Sequence, residues 1–282
     1  EPFTQGAYLD QARLGELVPV AVRLLDNVID VSRFPLPEQA AEALAKRRIG
    51  LGVTGLADAL IMCRVRYGSE EAVRLTRHWL GALRDAAYGA SIDLAAEKGP
   101  FPGFEPDAYL AGENIQSLGP DIRARIRRHG IRNALLTSIA PTGTISLLAG
   151  NVSSGIEPVF AFAARRAILA SDGTRQEEEV DDYAYERYRE AHGHGGALPD
   201  YFVDAQTLPP SAHLAMQAAT QPFIDSSISK TINLPEDISF ATFKDIYLQA
   251  YDRGCKGCTT YRPNPVTGAV RSPATARPRI ED

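Results

Sequence analysis

The stretch from Asn133 to Pro158, NALLTSIAPTGTISLLAGNVSSGIEP, constrains the fold of this chain more than any other, because it carries no charged side chain before Glu157. The seven residues after Asn133 are apolar or hydroxyl-bearing, the pattern of a buried strand. Pro141-Thr142-Gly143-Thr144 breaks the run, and Ile145 to Leu148 opens as a helix. A strand that delivers a hydroxyl- and glycine-bearing turn to a helix start is a place to hold an anion. The first N–H groups of a helix have no internal partner, the helix dipole adds partial positive charge there, and Gly143 lets a ligand approach the backbone. Thr142, Thr144 and Ser146 add hydroxyl donors. A buried strand, a turn and a capped helix without a ligand satisfy the same pattern, and the Lys of a Walker-type loop is missing. The residues alone leave both readings open.

At 282 residues the chain can bury a substantial core as one large α/β domain or two smaller ones. A composition of 44% hydrophobic and 23% charged residues is that of a globular protein. A net charge of -5 argues against a nucleic-acid surface, so a nucleotide would be bound in a pocket. The long uncharged run fails as a membrane span, because Pro141, several glycines and many hydroxyls interrupt it. Cys63, Cys255 and Cys258 are too few for a disulfide scaffold and fit a reducing compartment, with the cytoplasm as the expected location. The chain starts at Glu1 without a signal-peptide pattern, as expected of a sequence that begins inside a larger parent or after a processing point.

Residues 8 to 31 space Leu14, Leu17, Ala21, Leu24 and Val28 as one buried helix face, with Pro19 kinking or splitting the helix. A helix over Glu38 to Arg48 leads into Arg48 to Gly55, a short strand or turn before a helix from Leu56 to Met62. Gly50, Gly52 and Gly55 match GxGxxG but lack the preceding βαβ strand of a dinucleotide site. Ser69 caps a long helix that runs to about Glu97 and presents Leu75, Trp79, Leu83, Ala86, Ala90 and Leu94. The basic cluster at Arg123, Arg125, Arg127 and Arg128 reads as a solvated face. Arg165 to Ser171 reads as a strand, and residues 172–200, charged and glycine-containing, as an exposed excursion; His192 and His194 lack a third metal ligand. A helix over 209–222, a strand from Ser226 to Leu234, an amphipathic helix from Ser239 to Arg253 and a final strand over Cys255 to Tyr261 imply parallel pairing with crossover helices. On a strand, Cys255 and Cys258 would point to opposite faces, which disfavours a bridge.

Four segments together resemble the catalytic subunit of ribonucleotide reductases, most closely the adenosylcobalamin-dependent (class II) branch. They are RRIGLGVTGLADAL at 47–60, SIAPTGTISLLAG at 138–150 with SSGIEPVFA at 153–161, DSSISKTINLP at 225–235, and GCKGCTTYRPNP at 254–265. The resemblance implies a ten-stranded α/β barrel of two parallel five-stranded halves. Residues 1–265 would form the second half, with 172–200 as an insert and 266–282 as a loosely held tail. It also implies that Ala140, Pro141, Thr142, Gly143, Thr144, Ile145 and Ser146 bind the substrate diphosphate. The complete enzyme would use adenosylcobalamin and a thioredoxin-type reductant to make deoxyribonucleotides, with the N-terminal half as a partner and a homo-oligomer as the assembly.

The family's radical cysteine sits in Asn-x-Cys-x-Glu, and no asparagine here is followed two positions later by cysteine. The resemblance therefore implies no catalytic residue in this chain and no activity from it alone. Class I subunits carry a tyrosine pair where this sequence has Thr259 and Thr260, which favours the cobalamin branch. A class I large-subunit fragment, a non-catalytic nucleotide-binding or assembly module, and a thiol-redox protein built on Cys255 and Cys258 are the competing readings. Cys63, among apolar neighbours, reads as a buried structural thiol.

Overall fold

A computed structural model describes residues 1–169, 175–194, 196–263 and 272–273. The first helix, α1 (Gln11–Val31), is capped by Asp10, whose carboxylate accepts from Arg13 N, and it runs through Pro19 as one helix, so of the two expected effects of Pro19, splitting does not occur. Its buried stripe is not the expected one. Val18, Val22 and Asp26 face inward, whereas Leu17, Leu24 and Val28 are 50%, 62% and 46% exposed. The cause is Asp26. A carboxylate in the buried stripe, neutralised by partners on other elements, rotates the helix away from the register that apolar spacing alone predicts.

α2 (Pro37–Lys46) and α3 (Leu56–Met62) precede α4 (Glu70–Lys98), which Ser69 caps by accepting from Ala72 N and Gly99 ends. α5 (Pro106–Leu110), α6 (Glu113–Gln116) and α7 (Pro120–His129) follow. On α7 the arginines pair outward, Arg125 with Asp93 and Arg127 with Asp107, on the solvated face their spacing predicts. Among the described residues no helix is long and apolar enough to cross a membrane.

Between helices the chain repeatedly returns in extended form, each time parallel to the previous pass. Leu51 bridges Thr137, Ile139 bridges Ile228, and β3 (Thr231–Asn233) pairs with β4 (Thr259–Tyr261) from Thr231 opposite Thr259 to Asn233 opposite Tyr261. Adjacent passes share backbone bonds, among them Ser138 N to Leu51 O at 3.0 Å, Ser226 N to Thr137 O at 3.0 Å and Thr259 N to Lys230 O at 3.1 Å. This is an α/β arrangement with crossovers, as expected, although the regular strands are shorter than the sequence pattern. Ser226 to Leu234 contributes only β3 and the bridge at Ile228, and Cys255 to Tyr261 only β4. Apolar side chains of the passes are buried in the core, Ile49 and Leu136 in one cluster, Ile139 and Ile228 in a second, and Ile232 and Leu234 in a third. Glycines let the first two passes approach closely: a Cβ on Gly52 would lie 2.1 Å from Ser138 O.

α8 (Gly143–Leu148) starts where the second pass ends. β1 (Ala163–Leu169) and β2 (Arg175–Asp181) then form an antiparallel hairpin, with β5 (Ser272–Pro273) on the other edge of β1. The tail expected to be loose lies otherwise outside the described residues. The exposed excursion expected over 172–200 is corrected in part. α9 (Tyr183–His192) docks on the core, with Asp182 and Ala184 buried and Tyr188 edge-on to Phe3 and Phe202 at centroid distances of 5.4 and 4.9 Å. Two tyrosines spaced to share a helix face were masked by the surrounding charge. α10 (Pro210–Thr220) and α11 (Phe240–Asp252) pack beside β3 over Leu214, Ile232, Leu234, Ile246 and Ala250.

Asp26, fully buried, accepts from Arg47 Nε at 2.8 Å, Arg132 Nε at 3.3 Å and Asn133 Nδ2 at 3.0 Å. Burial by itself would raise its pKa, but the Arg47 hydrogen bond and charge, with those of Arg132, hold the carboxyl below its ordinary value. Such a group stabilises the fold above its unfolded pKa, and that contribution is lost as pH falls through the folded value. Asp26→Ala would leave Arg47 buried beside only the half-exposed Asp30. It should cost about 3–5 kcal/mol at neutral pH in urea unfolding, with the deficit shrinking as the medium is acidified.

Candidate functional site

The turn at 140–146 sits at the carboxyl end of the second parallel pass, where open α/β sheets place ligands. Thr142, not the glycine beside it, takes the left-handed conformation, with φ 52°. Ser146 N is the first amide of α8 to reach an internal carbonyl, Thr142 O at 2.8 Å. The amides of Gly143, Thr144 and Ile145 precede it and have no carbonyl within the helix. Ala140, Pro141, Thr144 and Ile145 are exposed. The turn's outward-facing donors are therefore three backbone amides and the Thr144 hydroxyl.

Two of the expected hydroxyl donors are corrected, because both are engaged inside the protein. Thr54 Oγ1 donates to Ser153 O at 2.9 Å, so the 3.1 Å contact between the two threonines has Thr142 donating to Thr54. Thr142 Oγ1 also accepts from Gly155 N at 2.7 Å. Ser146 Oγ, buried, lies 3.2 Å from both Gly143 O and Ser154 Oγ. These hydroxyls are spent on holding the turn to its brace.

The brace behind the turn joins segments 47–60 and 153–161. Gly55 N donates to Ser153 O at 2.7 Å, Ala57 N to Ser153 Oγ at 3.2 Å, and Ser153 N to Asp58 Oδ2 at 2.7 Å. Gly155 has φ 56°, and a Cβ there would lie 3.0 Å from Ala140 O, so the backbone conformation and the close approach both favour glycine at 155. Asp58 also accepts from Ala184 N at 3.1 Å, and Asp182 caps α9 through Tyr185 N at 3.2 Å. Both carboxyls are raised by burial, Asp182 to about 8 with the Asp58 charge adding to the effect.

Glu157 ties this unit to segment 225–235: its Oε1 accepts from Thr231 N at 2.6 Å and its Oε2 from Lys230 Nζ at 2.5 Å. Lys230 Nζ also donates to Thr231 O at 2.5 Å and to His213 Nδ1 at 2.9 Å. An ammonium group only donates, so His213 is a neutral imidazole; burial and the Lys230 charge push its pKa down to about 3. Segment 254–265 joins through Lys256 Nζ, which donates to Asp225 O at 2.6 Å. The quoted motifs therefore form one hydrogen-bonded unit. Asp58, Ser153, Glu157 and Lys230 lie within those motifs, but nothing in the residues alone marks them as the brace.

Cys255 and Cys258 precede β4 and pack against the same apolar cluster, which corrects the expectation of opposite strand faces. Burial pushes both thiols, and that of Cys63, above the ordinary value. That is the reverse of an activated thiol. Among the described residues no group of three or more His, Cys, Asp or Glu could hold a metal ion. In β4, Thr260 Oγ1 lies 2.9 Å from the Tyr247 hydroxyl of α11, while Thr259 and Tyr261 are exposed.

The chain matches the family described as ribonucleotide reductase, barrel domain, over residues 2–261. It is 41% identical to a vitamin B12-dependent ribonucleoside-diphosphate reductase of Mycobacterium tuberculosis, over 96% of this chain and 39% of that protein. A reductase of the same name from Thermoplasma acidophilum is 34% identical over 96% of this chain and 35% of the relative. The ribonucleoside-diphosphate reductase subunit alpha of Chlamydia muridarum is 30% identical over 90% of this chain and 28% of the relative. The chain thus spans well under half the length of these relatives.

Two outcomes follow from the site's electrostatics. A carboxyl whose folded pKa is about 8 against an ordinary 3.8 stabilises the fold fully below the lower value and loses that contribution as pH rises to the upper one. Asp182→Asn keeps a capping oxygen, so urea unfolding between pH 5 and pH 8 should show a smaller loss of stability in the variant than in the unaltered protein. Alkylation of the folded chain at neutral pH should be slow at Cys255 and Cys258 and become fast on unfolding.

Proposed function

Because the chain belongs to the ribonucleotide reductases, as their barrel domain, we propose that it supplies the substrate-diphosphate cradle and part of the barrel wall of a complete enzyme. That enzyme converts ribonucleoside diphosphates to deoxyribonucleotides. The observation that carries the reading is the turn at Ala140, Pro141, Thr142, Gly143, Thr144, Ile145 and Ser146. It offers the amides of residues 143–145 at the end of a parallel pass, held from behind by Thr54, Ser153 and Gly155. A diphosphate there meets backbone donors and the positive end of α8, and the Thr144 hydroxyl can reach its oxygens. In the finer reading of the fold, the parallel passes belong to the second half of a ten-stranded barrel.

The cobalamin branch is favoured over class I by the 41% and 34% identity to the vitamin B12-dependent reductases of Mycobacterium tuberculosis and Thermoplasma acidophilum, against 30% for the Chlamydia muridarum subunit alpha, and by β4, where threonines stand in place of a tyrosine relay. The corrinoid would lie over the face of the passes formed by Gly50, Gly52, Ser229, Thr231 and Thr259. Gly50, Gly52 and Thr259 are exposed, and Ser229 and Thr231 are half-buried, leaving an open face of small side chains. When bound, adenosylcobalamin supplies the radical that starts the reaction. This chain's own residues bind and orient the nucleotide. The radical cysteine, the acid/base groups and the redox cysteine pair come from the N-terminal half, with a thioredoxin-type reductant and a homo-oligomeric cytoplasmic enzyme completing the assignment.

Gly143→Val blocks close approach to the turn. It should weaken binding of a ribonucleoside diphosphate by about tenfold or more in titration calorimetry, with little change in the thermal midpoint. Unchanged affinity would move the anion elsewhere. The isolated chain with adenosylcobalamin and a dithiol should not turn over, and mixing with the N-terminal half should restore reduction. Stable binding without activity in that mixture would favour the assembly module instead.

A further inference from the structure

The second and third parallel passes are laced together by Ser226 N to Thr137 O at 3.0 Å, Ile139 N to Ser227 O at 3.1 Å and Ser229 N to Ile139 O at 2.8 Å. The next donor in this register is Thr231 N, and its partner would be the carbonyl of residue 141. There the second pass leaves the ladder: Pro141 has no N–H to offer in return, and the chain turns into 142–146. The vacated position is filled by a side chain, Glu157 Oε1, at 2.6 Å from Thr231 N. Its other oxygen, Oε2, is held by Lys230 Nζ at 2.5 Å. The Lys230 side chain is fully buried and that of Glu157 is 24% exposed. All three ammonium protons are used, on Glu157, Thr231 O and His213 Nδ1.

The backbone around Glu157 is held as well. Glu157 N donates to Ser154 O at 2.8 Å, and the buried Tyr67 hydroxyl donates to Ile156 O at 2.6 Å. Two residues before Glu157, Gly155 N donates to Thr142 Oγ1 within the turn itself. A short, anchored path therefore runs from the ladder rung at Thr231 through Glu157 to Thr142.

We propose that Glu157 is a positioning residue for the diphosphate cradle: its carboxylate stands in for the strand that departs at Pro141, and Lys230 compensates its charge. The proposal rests on reading 140–146 as that cradle. A strand that peels away would otherwise leave Thr231 N unpaired in a poorly hydrated place, and the turn would lose the register that sets its height above the sheet.

The test uses the 282-residue chain, inorganic pyrophosphate as the probe, and amide hydrogen exchange at Thr231, Ser146 and Gly155. Glu157→Ala removes the acceptor and should weaken pyrophosphate binding and the protection of all three amides, each by about tenfold. Glu157→Gln keeps an acceptor oxygen and should retain most of both, whereas Glu157→Met, of similar volume but without that oxygen, should lose them as Glu157→Ala does, a difference that loss of packing alone would not give. If Glu157→Ala fails to fold, Glu157→Leu combined with Lys230→Met removes both charges together with the acceptor and should show the same losses. Pyrophosphate affinity and protection of Ser146 and Gly155 within twofold of the unaltered chain would overturn the positioning role. Absence of pyrophosphate binding by the unaltered chain would instead overturn the cradle reading. The exchange rates in Glu157→Ala would then still decide the role of Glu157.

Discussion

The buried carboxylate of Asp26 is the contact on which the arrangement of this chain depends. It lies on α1, is answered by Arg47 at the end of α2 and by Arg132 and Asn133 at the entry to the central stretch, and faces Lys98 at the end of α4. Asn133 in turn accepts from Ser91 of α4 and donates to Arg47 O. Remote parts of the chain are thereby set at fixed heights before the first parallel passes begin. An ion cluster so deeply buried adds little net stability over an apolar equivalent, but it is costly to break. Its value lies in register, because the two passes it precedes must meet with Gly52 against Ser138.

From that fixed start, the site is a matter of chain direction. Consecutive parallel passes present their carboxyl ends on one side, and the second pass ends in a turn whose amides are left free. The other motifs brace it: Thr54 and Ser153 from behind, Gly155 from beneath, and Glu157 by tying segment 153–161 to Lys230 and Thr231 of the neighbouring pass. The phosphate site proposed for this turn would need such supports, since backbone amides have no side chain with which to adjust. This explains why residues with chemically suggestive side chains, Thr142 and Ser146, are spent on holding the backbone.

Helices α3, α4, α8 and α11 and the parallel sense of the passes were legible in the sequence, because their caps, apolar spacing and alternation with extended runs are local signals. The inward face of α1 was not, because its anchor is a charged residue whose partners lie up to 107 positions away. α9 was hidden by its own charge, and the two cysteines were misplaced because alternation was extended past the true start of β4. The turn itself was readable, yet the division between donors that face a ligand and hydroxyls that hold the turn was not. That division depends on Thr54 and Gly155, which sequence spacing does not bring together.

The same distances set a timetable. The hydroxyl of Thr54 reaches Thr142 across 88 residues and Ser153 across 99, and the passes on either side of the turn are likewise far apart in the chain. Loop closure on this scale makes folding slow, and little of the turn's geometry is encoded within the turn. The shape of the loop at 140–146 is therefore held by contacts nearly a hundred residues away in the chain, so that a change at Thr54 or Ser153 reaches the turn as directly as a change within it.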